Sequence, residues 1–369
     1  SGQRFSMHPL LATFLTSELQ ARSSSEWHAV HAAASRAQEE AGDLNSAVHH
    51  AKLAADDERL GRLIWSHTGE LLGSGRMAVV RRWLADLDSD RLGSTAGLAL
   101  AAAQVAQLTG DMAMMRHYQV AAAAACRDSG AEDLRADLLV LSALVGADGL
   151  AQMRQDCTEY LRFAQIESPW RSVAHFLNGV GLVLQGDFAT GIAEMLVGEQ
   201  AALALQVPHV RGQCLAAASF ALTLAGDERR GRALLGDLRA LVARYPMDHE
   251  ATAAPVHIVL AQGYLADGRT HEACASADKA LRLTSLIVGM APWYAVQGRA
   301  LLSQLYVGLG QLDRAASLLD EAELLHGPSS QSPVLDALLD RARQGVDAAE
   351  HVDVGPEPLS TAEIRVLQY

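Results

Sequence analysis

The hydrophobic and polar positions of the chain follow one recurring pattern. An apolar helical segment ends in Gly-Asp or a similar pair, and a second, amphipathic helical segment follows it. β-Branched runs bounded by turn residues, which would indicate strands, are hard to find. The ten prolines lie mostly between the apolar segments rather than inside them. The pattern therefore predicts an all-α chain.

Eight glycines mark successive copies of this pattern. Their spacings are 33, 35, 39, 37, 40, 42 and 42 residues, and two helices of about 12 to 15 residues with two short turns would fill such a period. Glycine readily adopts the left-handed conformation that ends a helix, and an aspartate after it can cap the next helix. The eight glycines are Gly42, Gly75, Gly110, Gly149, Gly186, Gly226, Gly268 and Gly310.

The repeats resemble tetratricopeptide repeats. In LLSQLYVGLGQLDRAASLLDEAELL, Tyr306 lies inside the first helix, Gly310 is at the turn, and Ala315 and Ala322 mark close helix contacts. VLAQGYLADGRTHEACASADKAL has the same layout, whereas LNGVGLVLQGDFATGIAEM has Gly191 where alanine is usual. The resemblance implies a tetratricopeptide-like superhelix, an α-solenoid of about eight antiparallel helix pairs. Because the repeats exceed the usual length of about 34 residues, we expect longer helices and a wider superhelix.

The charge balance limits the partners of the chain. Lysine plus arginine number 30 against 43 aspartate plus glutamate, which gives a formal net charge of −13. A module that binds duplex DNA normally presents a basic face to the phosphates. The bulk of this chain is therefore not expected to bind nucleic acid by itself.

Cysteine usage and hydropathy predict a cytoplasmic protein without membrane contact. The four cysteines are far apart and form no C-x-x-C pair, as is typical of buried thiols in a reducing compartment. The longest run of small apolar residues, 96–108, is too short to cross a bilayer. The first residues, SGQRFSMHPLL, lack the charged and then apolar regions of a signal peptide.

The residue pattern favours binding over catalysis. His28 and His31 share a helical face near Glu26 and could bind a metal, but such a site needs a third or fourth ligand. No serine lies in a G-x-S-x-G turn, and no cysteine has a recognisable histidine partner. The sequence also lacks the G-x-x-x-x-G-K-[ST] motif that binds nucleotide phosphates. We expect no enzyme activity and no cofactor site within these residues.

Both ends of the chain resemble parts of one family of regulators. The N-terminal RFSMHPLLATFLTSEL resembles the end of the winged-helix subdomain in MalT-like regulators, and EWHAVHAAASRAQEEAGDLNSAVHH resembles the first repeat of that family. The C-terminal LSTAEIRVLQY resembles the start of a LuxR-type helix-turn-helix domain. The matching residues are Arg4, Phe5, His8, Pro9, Leu10 and Phe14 at one end and Leu359, Ser360, Glu363, Val366 and Leu367 at the other.

The resemblance implies four segments: a winged-helix remnant (1–22), the repeat superhelix (23–345), a linker (346–358) and the start of the helix-turn-helix domain (359–369). It also implies the effector-sensing and oligomerisation region of a MalT-like, LuxR-type transcriptional regulator. In that family, effector binding, together with ATP on a separate N-terminal domain, permits self-association and DNA binding. ATP is therefore expected on a missing N-terminal domain, and DNA contact only through the missing part of the helix-turn-helix. The alternative is a generic tetratricopeptide scaffold for protein–protein interaction, with no role in transcription.

The inner face of the superhelix is the predicted binding surface. If each turn glycine is position 15 of its repeat, positions 2, 5, 9 and 12 face inward. In the last four repeats none of these sixteen positions is charged, and four are glutamines, which suits a neutral or amphipathic small molecule, or a peptide main chain. The sixteen are Val173, Phe176, Val180, Val183, Gln213, Ala216, Phe220, Thr223, Pro255, Ile258, Gln262, Leu265, Gln297, Ala300, Gln304 and Val307.

In two of the repeats the first helix begins alike, with SPWRSV and APWYAV. Tryptophan offers a large apolar face and one N–H donor, which would be useful at the rim of a groove. An equally simple interpretation is that both tryptophans fill the core between repeats and that the glutamines are solvated. The candidate residues for an effector or partner are Trp170, Phe176, Gln213, Phe220, Gln262, Trp293, Gln297 and Gln304.

Overall fold

A computed structural model describes residues 14–15, 17–20, 23–109, 111–129, 132–248, 251–286 and 291–353. Every regular element within these ranges is a helix, which confirms the predicted all-α fold. Two short 3-10 turns lie at Ala251–Ala253 and Pro328–Ser330. The α-helices are α1 (Ser24–Glu40), α2 (Leu44–Leu53), α3 (Asp57–Gly73), α4 (Met77–Leu84), α5 (Ser89–Leu92), α6 (Ala96–Leu108), α7 (Met112–Ser129), α8 (Glu132–Val145), α9 (Gly149–Phe163), α10 (Trp170–Leu184), α11 (Phe188–Ala204), α12 (Pro208–Leu224), α13 (Glu228–Arg244), α14 (Ala254–Ala266), α15 (Thr270–Ser285), α16 (Pro292–Gly308), α17 (Leu312–Leu325) and α18 (Pro333–Asp353).

The order of the helices gives the repeats predicted from the glycine spacing. Within the described ranges, a helix pair surrounds each predicted turn, and the short α5 and the terminal α18 lie outside this scheme. The two helices of a pair contact each other in α1–α2, α10–α11, α12–α13, α14–α15 and α16–α17. The chain is therefore a helical solenoid.

The turn glycines have the predicted conformation. Each predicted turn glycine within the described ranges has a positive φ, for example 72° at Gly310, while Gly110 lies outside those ranges. The amide of Gln311 then donates to the carbonyl of Tyr306 at 2.8 Å, which ends α16 in a Schellman-type turn. At the turn predicted at Gly149, Gly146 also has a positive φ. Helix α8 ends beside Gly146, so the turn begins three residues before the predicted glycine.

Small residues allow the helices of a pair to approach closely. Ala315 and Ala322 are completely buried, as the repeat pattern predicts. Gly191 stands where alanine is usual in the repeat, and the reason is steric. A Cβ at this position would lie 2.7 Å from the carbonyl oxygen of Gly179. Helices α10 and α11 therefore cross with their backbones nearly in contact, at a point where even alanine would be too large.

The contacts within the chain divide it into two units. The first comprises Ser1–Thr68, Met77–Val105 and Arg116–Leu134, and the second comprises Gly69–Arg76, Ala106–Met115 and Arg135–Tyr369. In the first unit, the hydroxyl of Ser35 in α1 donates to the carbonyl of Ala47 in α2 at 2.9 Å. The last four helix pairs all belong to the second unit, which holds the predicted binding surface.

The helices of the second unit close on themselves. The first helices of its last four pairs, α10, α12, α14 and α16, contact each other in sequence, and we call them the inner helices. At the end of the series, α16 contacts α9, and α18 contacts α10. The amide of Ala291 donates to the carbonyl of Val145 at 2.8 Å, and the hydroxyl of Ser332 bonds the carbonyl of Leu184. The expected open groove is therefore closed by the return of the last helices to the first.

The segment boundaries are only partly within the described residues. The predicted linker 346–358 begins inside α18, which continues to Asp353. The helix-turn-helix segment 359–369 and most of the segment 1–22 lie outside the described residues. None of the described helices is both long and apolar enough to cross a membrane.

Candidate ligand cavity between the inner helices

The inward positions of the inner helices converge on one cavity in the second unit. Helical periodicity places positions 2, 5, 9 and 12 of a repeat on one face, and closure of the unit turns these faces toward each other. Eight of the sixteen predicted positions line this cavity, which we call the central cavity: Phe176, Val180, Val183, Ala216, Phe220, Pro255, Ile258 and Gln297.

The wall of the central cavity is apolar. None of the described residues that line it carries a formal charge. Its polar side chains are the amide of Gln297, the indole of Trp293 and the phenol of Tyr294, whose hydroxyl donates to the carbonyl of Ala251 at 3.3 Å. The remaining lining residues are Leu184, Met195, Ala217, Ala254, Val259, Gly298 and Leu301.

The central cavity is a narrow slot. The space between its walls that protein atoms do not fill is about 620 Å³, and this figure includes space open to solvent. Only about 40 Å³ is available to the centres of water molecules, which is the measure used for cavities in other proteins. One water needs about 10 to 15 Å³ by that measure, so the slot has room for about three waters. A larger occupant must displace side chains of the wall.

The phenol of Tyr294 is neutral, and burial makes its ionisation still less favourable. Loss of hydration raises the pKa of Tyr294 well above its usual value of 10, because a phenolate would lose its stabilising water. The wall therefore presents only uncharged groups over the whole range of physiological pH.

Four of the eight candidate residues meet at the central cavity. Phe176 and Phe220 contribute apolar rings from α10 and α12, and Trp293 and Gln297 lie one turn apart on α16. The indole Nε1–H of Trp293 is buried and finds no acceptor among the described residues. An unpaired donor of this kind is unusual, because buried donors in native proteins are nearly always paired.

Two of the four glutamines are used within the fold. Nε2 of Gln213 donates to the carbonyl of Thr252 at 3.1 Å, and Nε2 of Gln304 donates to the carbonyl of Leu338 at 2.9 Å. The interpretation that the glutamines are solvated therefore does not hold for these two, because each amide donates to a main-chain carbonyl of a later element. Gln262 is half-buried and does not line the central cavity.

Trp170 fills the core of its repeat. Its side chain is 3% exposed, and a Cβ on Gly69 would lie 3.0 Å from its Nε1. Trp170 is thus packed against α3 and does not line the central cavity. The matching starts of α10 and α16 place their tryptophans in different environments: one packs against a neighbouring helix and the other against the cavity.

Sequence reasoning missed a polar group beside the wall. Thr284 in α15 is 2% exposed, and its Oγ1 makes no hydrogen bond with any described residue. A Cβ on the lining residue Gly298 would lie 3.7 Å from that oxygen and 3.9 Å from Cδ1 of Ile258. The sequence contained one signal for this place. Gly298 lies in the middle of a helix, where a glycine is not required by a turn, and such a glycine can mark a packing or functional site.

The histidines of the first unit form a pair without further ligands. Nδ1 of His31 lies 2.8 Å from Nδ1 of His50, and burial followed by the charge of neighbouring histidines lowers the pKa of His31. In the part of the chain that the structure describes, no three potential metal ligands come together. The partner of His31 is therefore His50, across the α1–α2 hairpin.

The chain is similar in sequence to part of a known transcriptional regulator. No protein-family model matches the chain. Among curated proteins, the chain is 26% identical over 338 residues to the HTH-type transcriptional regulator MalT of Serratia proteamaculans (strain 568). The aligned region covers 89% of this chain and 37% of that relative, so the chain spans little more than a third of the relative's length. This similarity supports a relationship between the chain and MalT-like transcriptional regulators.

Proposed function

We propose that the chain is the effector-sensing and oligomerisation region of a MalT-like, LuxR-type transcriptional regulator. A ligand binds in the central cavity and controls DNA binding by the whole protein. DNA is contacted through a helix-turn-helix domain of which residues 359–369 are the start, and ATP binds a separate domain before the repeats. The chain itself acts by binding in the cytoplasm, without catalysis and without a cofactor of its own.

The observation that carries this proposal is the convergence of the inner helices on an apolar cavity. Positions chosen from the repeat period alone meet at this place, from four different helices. A concave apolar pocket with a few polar groups is the usual form of a small-molecule site. The similarity to a MalT regulator over most of the chain supports a sensing role for such a pocket.

The narrowness of the cavity gives a physical basis for sensing. A ligand controls a protein only if it binds one of two states more tightly than the other. Because the empty slot has a volume of about 40 Å³, a ligand of ordinary size binds only when the inner helices or their side chains move apart. Occupancy would then be coupled to the contacts that close the unit, such as that between Ser332 and Leu184.

The negative charge of the chain favours control over direct DNA contact. With a net charge of −13, the region repels duplex DNA and leaves binding to the helix-turn-helix domain. The rival function is a scaffold that binds a partner protein and has no role in transcription. That function would need no apolar cavity between the inner helices, which is why we favour the sensor.

The experiment compares transcripts of strains that carry the full-length protein. Gly298→Ala adds a methyl group beside the central cavity at ordinary contact distances of 3.6 to 3.9 Å, and Gly236→Ala adds one in open space on α13. We expect deletion of the gene and Gly298→Ala to change the same transcripts at equal protein level, while Gly236→Ala matches the wild type. The proposal fails if the deletion changes no transcript, or if Gly298→Ala behaves as the wild type.

A further inference from the structure

Two buried hydrogen-bond donors, one in the wall of the central cavity and one beside it, find no acceptor among the described residues. They are the indole N–H of Trp293 and the hydroxyl of Thr284. Nearly all buried polar groups in native proteins have a partner, so two unpaired donors beside one cavity indicate that a partner is supplied from outside the chain.

The hydroxyl of Thr284 lies beside the part of the wall where a side chain is missing. A Cβ on Gly298 would lie 3.7 Å from Oγ1 of Thr284, and Gly298 lines the cavity. The absence of a side chain at Gly298 therefore leaves space beside this hydroxyl. A threonine inside a helix commonly bonds the carbonyl four residues earlier, yet Thr284 makes no such bond within the described structure.

The indole of Trp293 forms another part of the same wall. Its ring is 3% exposed, and its Nε1 lies 3.3 Å from the place where a Cβ on Gly146 would be. Gly146 is at the turn after α8 and has no side chain that could accept a hydrogen bond from this N–H. An indole N–H can only donate, so its partner must be an acceptor.

The rest of the wall excludes charged ligands. The described lining is made of aliphatic and aromatic side chains, with Gln297 as its amide and no ionised group that could pair with a charge. Transfer of an unpaired charge from water into such a site is far more costly than transfer of a neutral molecule.

We propose that the ligand of the central cavity is a neutral, mainly apolar molecule with a carbonyl or ether oxygen, which accepts a hydrogen bond from Thr284 or Trp293. Its apolar part lies against Phe176, Phe220 and Ile258. This inference rests on the proposed function for its biological role, but the chemistry of the ligand is tested without it.

The test uses three probes of similar size with the purified 369-residue chain. Acetophenone carries a carbonyl acceptor, ethylbenzene has the same ring without an acceptor, and benzoate carries a charge. Calorimetry of the wild-type chain should show acetophenone binding about 2- to 10-fold more tightly than ethylbenzene, the usual effect of one net hydrogen bond. Benzoate should bind more weakly than either.

Three variants test whether the probes bind at the wall of the central cavity. Thr284→Val and Trp293→Phe each remove one donor and keep most of the packing, and at least one of them should abolish the preference for acetophenone over ethylbenzene. Gly298→Ala should weaken both neutral probes about tenfold or more, because it fills the space beside Thr284. Gly236→Ala, in open space on α13, is the matched control and should bind as the wild type does.

Melting temperatures separate a binding role from a folding role. Thr284→Val should melt at or above the wild-type temperature, because it removes a buried hydroxyl that lacks a partner. Tighter binding of benzoate, no binding of either neutral probe, or a preference for acetophenone that survives both donor variants would overturn the inference. These results concern the ligand's chemistry only, whereas the proposed function fails when deletion of the gene leaves transcription unchanged.

Discussion

The hydroxyl of Ser332 donates a hydrogen bond to the main-chain carbonyl of Leu184, 148 residues earlier in the chain. Ser332 is 3% exposed, and its oxygen also accepts a hydrogen bond from the amide of Leu335 at 3.1 Å, which caps α18. One side chain thus orients the last helix and fastens it to the end of α10. Leu184 also lines the central cavity, so this contact lies directly beside the cavity wall.

Ser332→Ala should destabilise the second unit. The variant loses the cap of α18 and the closing hydrogen bond, which together correspond to about 1 to 3 kcal/mol in the free energy of unfolding. Ser285→Ala is the matched control, since the exposed hydroxyl of Ser285 bonds a carbonyl of its own helix. Thermal unfolding of both variants is the measurement, and equal melting temperatures would show that the Ser332 contact does not hold α18 in place.

Gly310→Ala should lower the melting temperature, although there is space for the added methyl group. Nothing lies within 4 Å of a Cβ at Gly310, so the cost comes from its φ of +72° alone. An L-residue in the left-handed region costs about 1 to 2 kcal/mol. Gly236 also has open space but a helical backbone, so Gly236→Ala should leave the melting temperature unchanged or raise it. A stabilising effect of Gly310→Ala would contradict the turn geometry.

Gln304→Ala should cost stability because its amide joins α16 to α18. Loss of the hydrogen bond to the carbonyl of Leu338 should lower the free energy of unfolding by about 0.5 to 1.5 kcal/mol. Gln262, at the same position of the preceding repeat, makes no side-chain hydrogen bond with the described residues, and Gln262→Ala should change stability by less than about 0.5 kcal/mol. Denaturant unfolding of both variants measures this difference in the free energy of unfolding. Equal values for the two variants would mean that the amide of Gln304 is solvated.

Acid should destabilise the second unit through His257. The side chain is 2% exposed, its Nε2 lies 3.1 Å from the carbonyl of Met247, and burial lowers the pKa of His257 below 6.5. As pH falls below about 6.5, the unfolded chain takes up a proton that the folded chain resists, so stability is present above this pH and is lost below it. Melting temperatures at pH 7.5 and 5.5 should differ less for His257→Gln than for the wild type.

A control for the acid effect is His117→Gln, because His117 is exposed. This variant should keep the difference in melting temperature that the wild type shows between the two pH values. A His257→Gln variant with the full wild-type difference would mean that other groups, such as the half-buried His209, whose pKa burial also lowers, cause the acid sensitivity.

The repeats could be predicted from the sequence because their signals are local. A glycine with positive φ and the aspartate after it lie within one turn of each other, as in Gly186 and Asp187, whose carboxylate accepts from the amide of Thr190 at 3.1 Å. The helical period then gave the inward face correctly for Phe176, Phe220 and Ile258, which line the central cavity.

The closure of the second unit could not be predicted in the same way. Contact between Ser332 and Leu184 joins distant residues and leaves no periodic trace in the sequence. For that reason the sequence showed which face Gln304 occupies but not that α18 would cover it. The same limit applies to Thr284, whose helix lies behind Gly298 and whose position has no counterpart in the repeat pattern.

The central claim is that a ligand enters the cavity between the inner helices and changes the state of the second unit. Hydrogen–deuterium exchange of the 369-residue chain, with and without saturating acetophenone, tests this claim most directly. We predict slower exchange in α10, α12, α14 and α16 and altered exchange in α18, and neither change in Gly298→Ala. Acetophenone that binds by calorimetry but leaves exchange in these helices unchanged would contradict the claim.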